Sequence, residues 1–215
     1  MTMTMPEEIL LLTLDEAGRP VGVPAPAVDL AVAGAVLMEL ALAGRVDSDP
    51  DRLYLAAPSP LGDPMLDDVL ARIASRTPPS DSRWWMEHLS KDAARFRRAF
   101  LDRLVVRGVL RRVEGKVFWV LPDRRYPMIN GAEVQEVRSR LRAVLLGGEI
   151  PDSRDALMIG LCRATGLITL ILSEAEAREA AGRVEAVVGL EELNRSLSAA
   201  TRDLYASMTA YGASP

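Results

Sequence analysis

At 215 residues with 49% apolar side chains, the chain has enough material for a sizeable buried core, which excludes wholesale disorder. Its 26 basic and 30 acidic residues leave a net charge of −4, and it has a single cysteine, Cys162, and a single histidine, His88. Those two counts exclude an internal disulfide, a CxxC metal site and a multi-histidine metal centre.

Residues 1–6 read as a short tail. Acids at Glu7 and Glu8, where a signal peptide would be basic, and the lack of a long uninterrupted apolar run predict a cytoplasmic protein. Glu7 to Leu14 opens a short apolar run that suits a helix or a strand and is broken at Asp15, Gly18, Arg19 and Pro20. Val28 to Leu42 is almost continuously apolar, with Asp29 and Glu39 its only charges, which predicts a helix buried on most sides and closed by Gly44. Arg52 to Ala57 reads as a short strand. Leu61 to Ser75 reads as a helix with Leu66, Val69, Leu70 and Ile73 on one face, and Thr77, Pro78 and Pro79 break the chain after it. Ser82 is the expected N-cap of a helix carrying Trp84 and Trp85, one as a core anchor and one partly exposed.

Phe96, Phe100 and Leu104 mark the buried face of the next helix, which ends near Arg107 at Gly108. Val109 to Val113, a turn at Glu114 and Gly115, and Val117 to Leu121 read as a hairpin stopped by Pro122. Helices are expected at Ala132 to Leu146, Arg154 to Thr165, Leu167 to Ala181 and Leu190 to Met208, with a tail at 209–215. No internal repeat is visible. The pattern predicts a mainly α protein: a single compact helical domain over 7–208, with a few short strands and a protruding amphipathic β-hairpin.

Charge supplies the functional clue. Between Lys91 and Arg125 stand eleven of the 26 basic residues against four of the 30 acidic ones. This local excess of seven positive charges sits in a chain whose remainder carries eleven more acids than bases. Arg95, Arg97, Arg98, Arg103 and Arg107 on a helix, followed by Arg111, Arg112 and Lys116 on the hairpin, suit an anionic membrane surface, with Val117, Phe118, Trp119 and Val120 as an apolar edge for lipid or a second subunit. Adjacent strand residues face opposite sides, so Phe118 and Trp119 cannot both serve that edge. Lysine is confined to Lys91 and Lys116, and with the Ala, Val, Leu and Asp bias this points to a GC-rich, bacterial genome.

The blocks EEILLLTLDEAG (Glu7 to Gly18), VLMELALAGRV (Val36 to Val46), LGDPMLDDVL (Leu61 to Leu70), LVVRGVL (Leu104 to Leu110) and ALMIGLCRA (Ala156 to Ala164), with the Trp85-centred turn, resemble the Golgi phosphoprotein 3 family in order and spacing. The resemblance implies a compact helical fold with an amphipathic hairpin, peripheral membrane association, recognition of phosphatidylinositol 4-phosphate, and binding without catalysis or cofactor. The family's headgroup pocket uses a tryptophan and three arginines. Their places fall on Pro24, Ala33, Ala94 and Arg97, so Arg97 alone keeps its side chain. Arg95 and Arg98 are the neighbouring arginines on the same helix. A phosphate monoester is held by several charge-assisted hydrogen bonds, and this depletion predicts poor discrimination of that lipid from bulk anionic lipid. The arginine-bearing tail by which eukaryotic members engage coat proteins has no counterpart in residues 1–6.

The expected protein is therefore peripheral to the inner face of the cell membrane, bound to anionic lipid headgroups, and homo-oligomeric through its hairpin. Two other readings fit parts of the pattern. A helix, a turn, an arginine helix and a hairpin outline a winged helix, in which Arg95, Arg98 and Arg103 would meet phosphates or guanine edges; a pI near 5.2 opposes nucleic-acid binding. The hairpin also suits a purely protein–protein adaptor. For chemistry, Asp63, Asp67 and Asp68 read as helix-start acids, Asp63 as an N-cap before Pro64. His88 has no nucleophile motif for company, and Gly147-Gly148 lacks the Lys-Ser or Lys-Thr of a phosphate loop.

Overall fold

A computed structural model describes residues 3–49, 51–117 and 121–189, with the side chains of 115–124 outside the description. It is mainly helical. Met5–Leu12 forms α1, every residue of it buried, which resolves the opening apolar run as a helix. Ala25–Leu42 forms α2, and Val46–Ser48 (β1) pairs antiparallel with Leu53–Leu55 (β2). Pro64–Ser75 (α3), Ser82–Ser90 (α4) and Ala93–Val106 (α5) follow. Val113–Val117 (β3) and Leu121–Arg125 (β4) make the hairpin, and Ala132–Leu145 (α6), Ser153–Ala164 (α7), a 3-10 turn at Leu167–Leu170, Glu174–Glu179 (α8) and Ala181–Val188 (α9) complete the described chain.

The centre of the fold is α2, around which α1, α3, α4, α5 and α7 pack. By length and composition alone α2 is apolar enough to cross a membrane, with a mean hydropathy of 1.8, but two-thirds of it is buried by neighbouring elements. Such a helix is hydrophobic all round because it has neighbours all round. Gly34 lets α4 and α7 close on it: a Cβ there would come within 2.6 Å of Leu161 Cδ1 and 3.1 Å of Met86 Cε. Trp85, Phe96 and Phe100 are essentially inaccessible and join α4 and α5 to this core, while Trp84 is only partly buried.

Several expectations are corrected. The α4 cap is Asp81, whose carboxylate accepts the Trp84 N–H at 2.7 Å, and Ser82 is the first helical residue. The expected helix from Leu167 to Ala181 is broken because Ser173 and Glu176 form a capping box that starts α8 afresh. The hairpin is shifted along the chain. Glu114 and Gly115 are not its turn but pair with Arg124 and Asp123, and Pro122 lies inside β4 opposite Lys116. Val109 and Leu110 instead lead into it, Leu110 bridging to Met128. Gly108, at φ +72°, ends α5 in the left-handed region that glycine tolerates. The helix expected at Leu190 to Met208 lies outside the described residues.

Candidate functional site

On α5, burying Phe96, Phe100 and Leu104 turns the intervening arginines to different sides of the helix. Those sides meet different neighbours. Arg97 faces α2 and is ion-paired with Asp29. Burial raises the Asp29 carboxyl above its usual range despite the adjacent Arg97 charge. Of the other places carried over from the family pocket, Pro24 is the exposed N-cap of α2, Ala33 is fully buried inside that helix, and Ala94 is exposed on α5. The one retained arginine thus spends its charge on an internal acid.

Arg103 and Arg107, expected on the basic surface, are drawn inward. Arg103 Nε lies 3.0 Å from Glu7, its guanidinium also pairs with Asp63 and donates to Thr4 Oγ1 at 2.9 Å, and Arg107 lies 3.1 Å from the same Glu7. Glu7 is completely buried. Burial alone would raise its carboxyl, but hydrogen bonds from Arg103 and the Thr4 backbone and the Arg103 charge outweigh it and hold the group below its usual value. The physical reason is plain: a buried carboxylate needs a counter-charge, and the C-terminal half of α5 supplies two. A second hub lies on the other side of α1, where Arg140 contacts Glu8 at 3.0 Å and Asp155 at 2.6 Å, and Arg154 contacts Glu8 at 3.5 Å and Glu39 at 3.2 Å. Burial leaves Glu8 and Asp155 with raised carboxyls in spite of these arginines.

What remains outward is narrower than the charge count implied. Arg95 pairs with Asp68 of α3 and keeps 45% of its side chain exposed, and Arg98, 3.9 Å from Asp102, keeps 67%. With Met65, Ala94, Ala99 and Asp102 they line an open groove of about 590 Å³ between α3 and α5. Beyond Gly108, Arg111 is exposed and Arg112, 3.4 Å from Asp102, is 46% exposed. Exposed apolar side chains stand among them: Val106 at 87%, Ile129 at 57% and Val113 at 42%. Backbone hydrogen bonds from Arg111 to Pro127 (2.9 Å) and from Ile129 to Val109 (3.1 Å) bind these segments together at the hairpin root. Val117 pairs with Leu121 in the ladder, and the side chain of Lys116 and residues Phe118, Trp119 and Val120 lie outside the description.

No catalytic constellation assembles from the acids noted in the sequence. Asp63 caps α3 by accepting the Met65 and Leu66 N–H groups, and Asp67 accepts those of Leu61 and Gly62. Among the described residues no group of three or more His, Cys, Asp or Glu side chains could hold a metal ion. Cys162 is buried and its thiol is pushed up to about 12, far from a reactive thiolate. Sequence reasoning missed the acids that sort the arginines, because Asp29, Glu7 and Asp63 lie 68, 96 and 40 residues from their partners. Compared with protein-family models, residues 5–208 match Golgi phosphoprotein 3 (GPP34). That match spans nearly the whole chain, and the protein belongs to the Golgi phosphoprotein 3 family.

Proposed function

We propose that this protein is a peripheral membrane protein that binds anionic lipid headgroups through the outer face of α5 and the root of the hairpin, without covalent chemistry. Its family is one of membrane-associated, phosphatidylinositol 4-phosphate-type lipid binders and is not a known enzyme family. The observation that carries the reading is the mixture at one surface of exposed cations, Arg98, Arg111 and Arg112, with exposed Val106, Val113 and Ile129. Basic side chains attract an anionic leaflet, and apolar ones beside them gain by entering the interfacial layer. Headgroup selectivity is low, because Arg97 is neutralised by Asp29 and the other carried-over positions offer no cation.

The test is co-sedimentation with phosphatidylcholine vesicles with and without phosphatidylserine. Binding is expected only to the anionic vesicles and to fall steeply as salt shortens the Debye length from about 10 Å at 0.1 M. The triple variant Arg98→Glu, Arg111→Glu, Arg112→Glu should lose it with an unchanged melting temperature. Equal sedimentation of variant and wild type would overturn the assignment of this face.

A further inference from the structure

A second groove lies between the end of α3, the loop after it and α4. It holds about 310 Å³ and is lined by Arg72, Arg76, Thr77, Trp84, Trp85 and His88 among others, which places it at the small end of ligand pockets. Among the described residues its polar side chains can all donate hydrogen bonds, and none of those lining it is a carboxylate. Arg76 is the centre of the arrangement. Its Nε donates to Ser80 Oγ at 2.6 Å, and its guanidinium carbon sits 3.4 Å from the Trp84 ring centroid. Those contacts hold the plane of the guanidinium while leaving both terminal nitrogens without a hydrogen bond or ion pair among the described residues.

Neighbouring groups point to the same ligand chemistry. His88 stacks on Trp84 with ring centroids 4.5 Å apart and planes 12° from parallel, and makes no hydrogen bond among the described residues. The Trp85 indole N–H is buried and has no hydrogen-bond partner among the described residues, a costly state for a donor. The acids beside it are already engaged: Arg72 pairs with Asp68 and Asp92 at 3.0 and 2.6 Å, Arg95 pairs again with Asp68, and Asp81, next to Ser80, accepts the Trp84 N–H at 2.7 Å. The carbonyls at the end of α3 are partly answered too, Ile73 by the Arg76 N–H at 3.3 Å and Arg72 by Ser75 Oγ at 3.1 Å. What is left is a set of uncommitted donors around a cation held in place by stacking.

We propose that this groove is a binding site for a small oxyanion of the phosphate class, with the two terminal nitrogens of Arg76 gripping two oxygens. A preorganised guanidinium loses little freedom on binding and matches the spacing of phosphate oxygens. A phosphomonoester at the head of a lipid and free phosphate present the same chemistry.

The experiment titrates the intact protein with inorganic phosphate and follows the indole N–H resonances by nuclear magnetic resonance, the Trp119 signal being identified with Trp119→Phe. Saturable shifts of the Trp84 and Trp85 signals are expected. Arg76→Lys keeps the charge and loses the fork, and should weaken binding about tenfold, while Arg19→Gln, at an exposed arginine outside the groove, should leave it unchanged. A second arm uses phosphatidylcholine vesicles with and without phosphatidic acid. If the ligand is a lipid, Arg76→Lys lowers sedimentation with the phosphatidate vesicles; if it is free phosphate, sedimentation is unchanged and only the titration weakens. Either outcome upholds the site. Thermal melting confirms that the variant is folded. Absence of saturation by phosphate, or an Arg76→Lys protein that titrates like the wild type, overturns the proposal and leaves the α5 face untouched.

Discussion

Glu7 and Glu8 are sequence neighbours on α1, both buried, with carboxyls displaced in opposite directions. Neutralising each in turn therefore probes the ion-pair hubs separately. Glu7→Gln removes the charge addressed by Arg103 and Arg107 at 3.0 and 3.1 Å. Breaking a buried pair from one side costs about 3–5 kcal/mol. Because the two arginines keep 31% and 26% of their side-chain exposure and Arg103 retains Asp63, the lower end, about 3 kcal/mol, is expected at neutral pH. Glu8→Gln replaces a carboxylate whose ionised form burial already penalises, and its amide oxygen can still accept from Arg140, so it should stay within about 1 kcal/mol of wild type.

The pH profiles of the two variants should slope in opposite directions. The folded-state value of Glu7 lies below its ordinary 4.5, so its contribution is complete above 4.5 and is lost as pH falls through the folded value; the stability gap between wild type and Glu7→Gln closes in acid. The folded-state value of Glu8 lies above 4.5, so its contribution is complete below 4.5 and is lost as pH rises through the folded value; the gap for Glu8→Gln narrows toward neutral pH. Urea unfolding followed by circular dichroism at stepped pH measures both gaps. Parallel profiles, or a Glu8→Gln loss at neutral pH as large as that of Glu7→Gln, would refute this account of α1.

Asp29→Asn should free Arg97 and raise affinity for a soluble inositol phosphate severalfold, since an ionised acceptor no longer competes for the guanidinium; calorimetric titration of both proteins checks it, and no gain would mean that Arg97 is not reachable. Trp119→Asp separates the two uses of the hairpin edge: loss of an oligomer in light scattering is the expected result, since a buried unpaired carboxylate costs several kcal/mol, whereas loss of liposome binding from a monomer would assign the edge to lipid alone. Cys162, with its thiol pushed up to about 12 inside the core, should resist thiol reagents in the native protein and react only on unfolding, and rapid native labelling would contradict its burial.

Where the physics was local, it was legible in the sequence. The apolar run of α2, the stop at Gly108 and the Asp63-Pro64 start of α3 each depend on residues within a few positions; the last two stand where the pattern placed them, and α2 ends at Leu42 as expected but starts three residues early, at Ala25, because Pro26 is tolerated in a first helical turn. Ser173 and Glu176 also carried a readable start signal, but the apolar residues from Leu167 onward masked it. The hairpin register was misread because Glu114-Gly115 resembles a turn dipeptide, whereas the ladder from Val113↔Arg125 to Val117↔Leu121 carries the strands further. For the candidate site, the concentration of arginine was visible and its sorting was not. Arg97 and Arg98 are adjacent and chemically identical, and the side of α5 that each occupies decides its fate: Arg97 meets Asp29 of α2 and is 32% exposed, whereas Arg98 is 67% exposed.

The burial of α1 also constrains how the chain is made. Arg154 on α7 donates to the Met3 carbonyl and pairs with Glu8, so the first helix is not enclosed until a residue 151 positions later has been added. Synthesis proceeds N-terminus first at about 5–20 residues per second, so Ile9, Leu10, Leu11 and Leu12 precede Arg154 by roughly seven to thirty seconds. During that interval α1 can pack on α2, but the sides that α5, α6 and α7 later cover stay open to the ribosome surface, to chaperones and to any membrane nearby. The yield of folded protein should therefore depend on what shields α1 early in synthesis more than on the stability of the finished core.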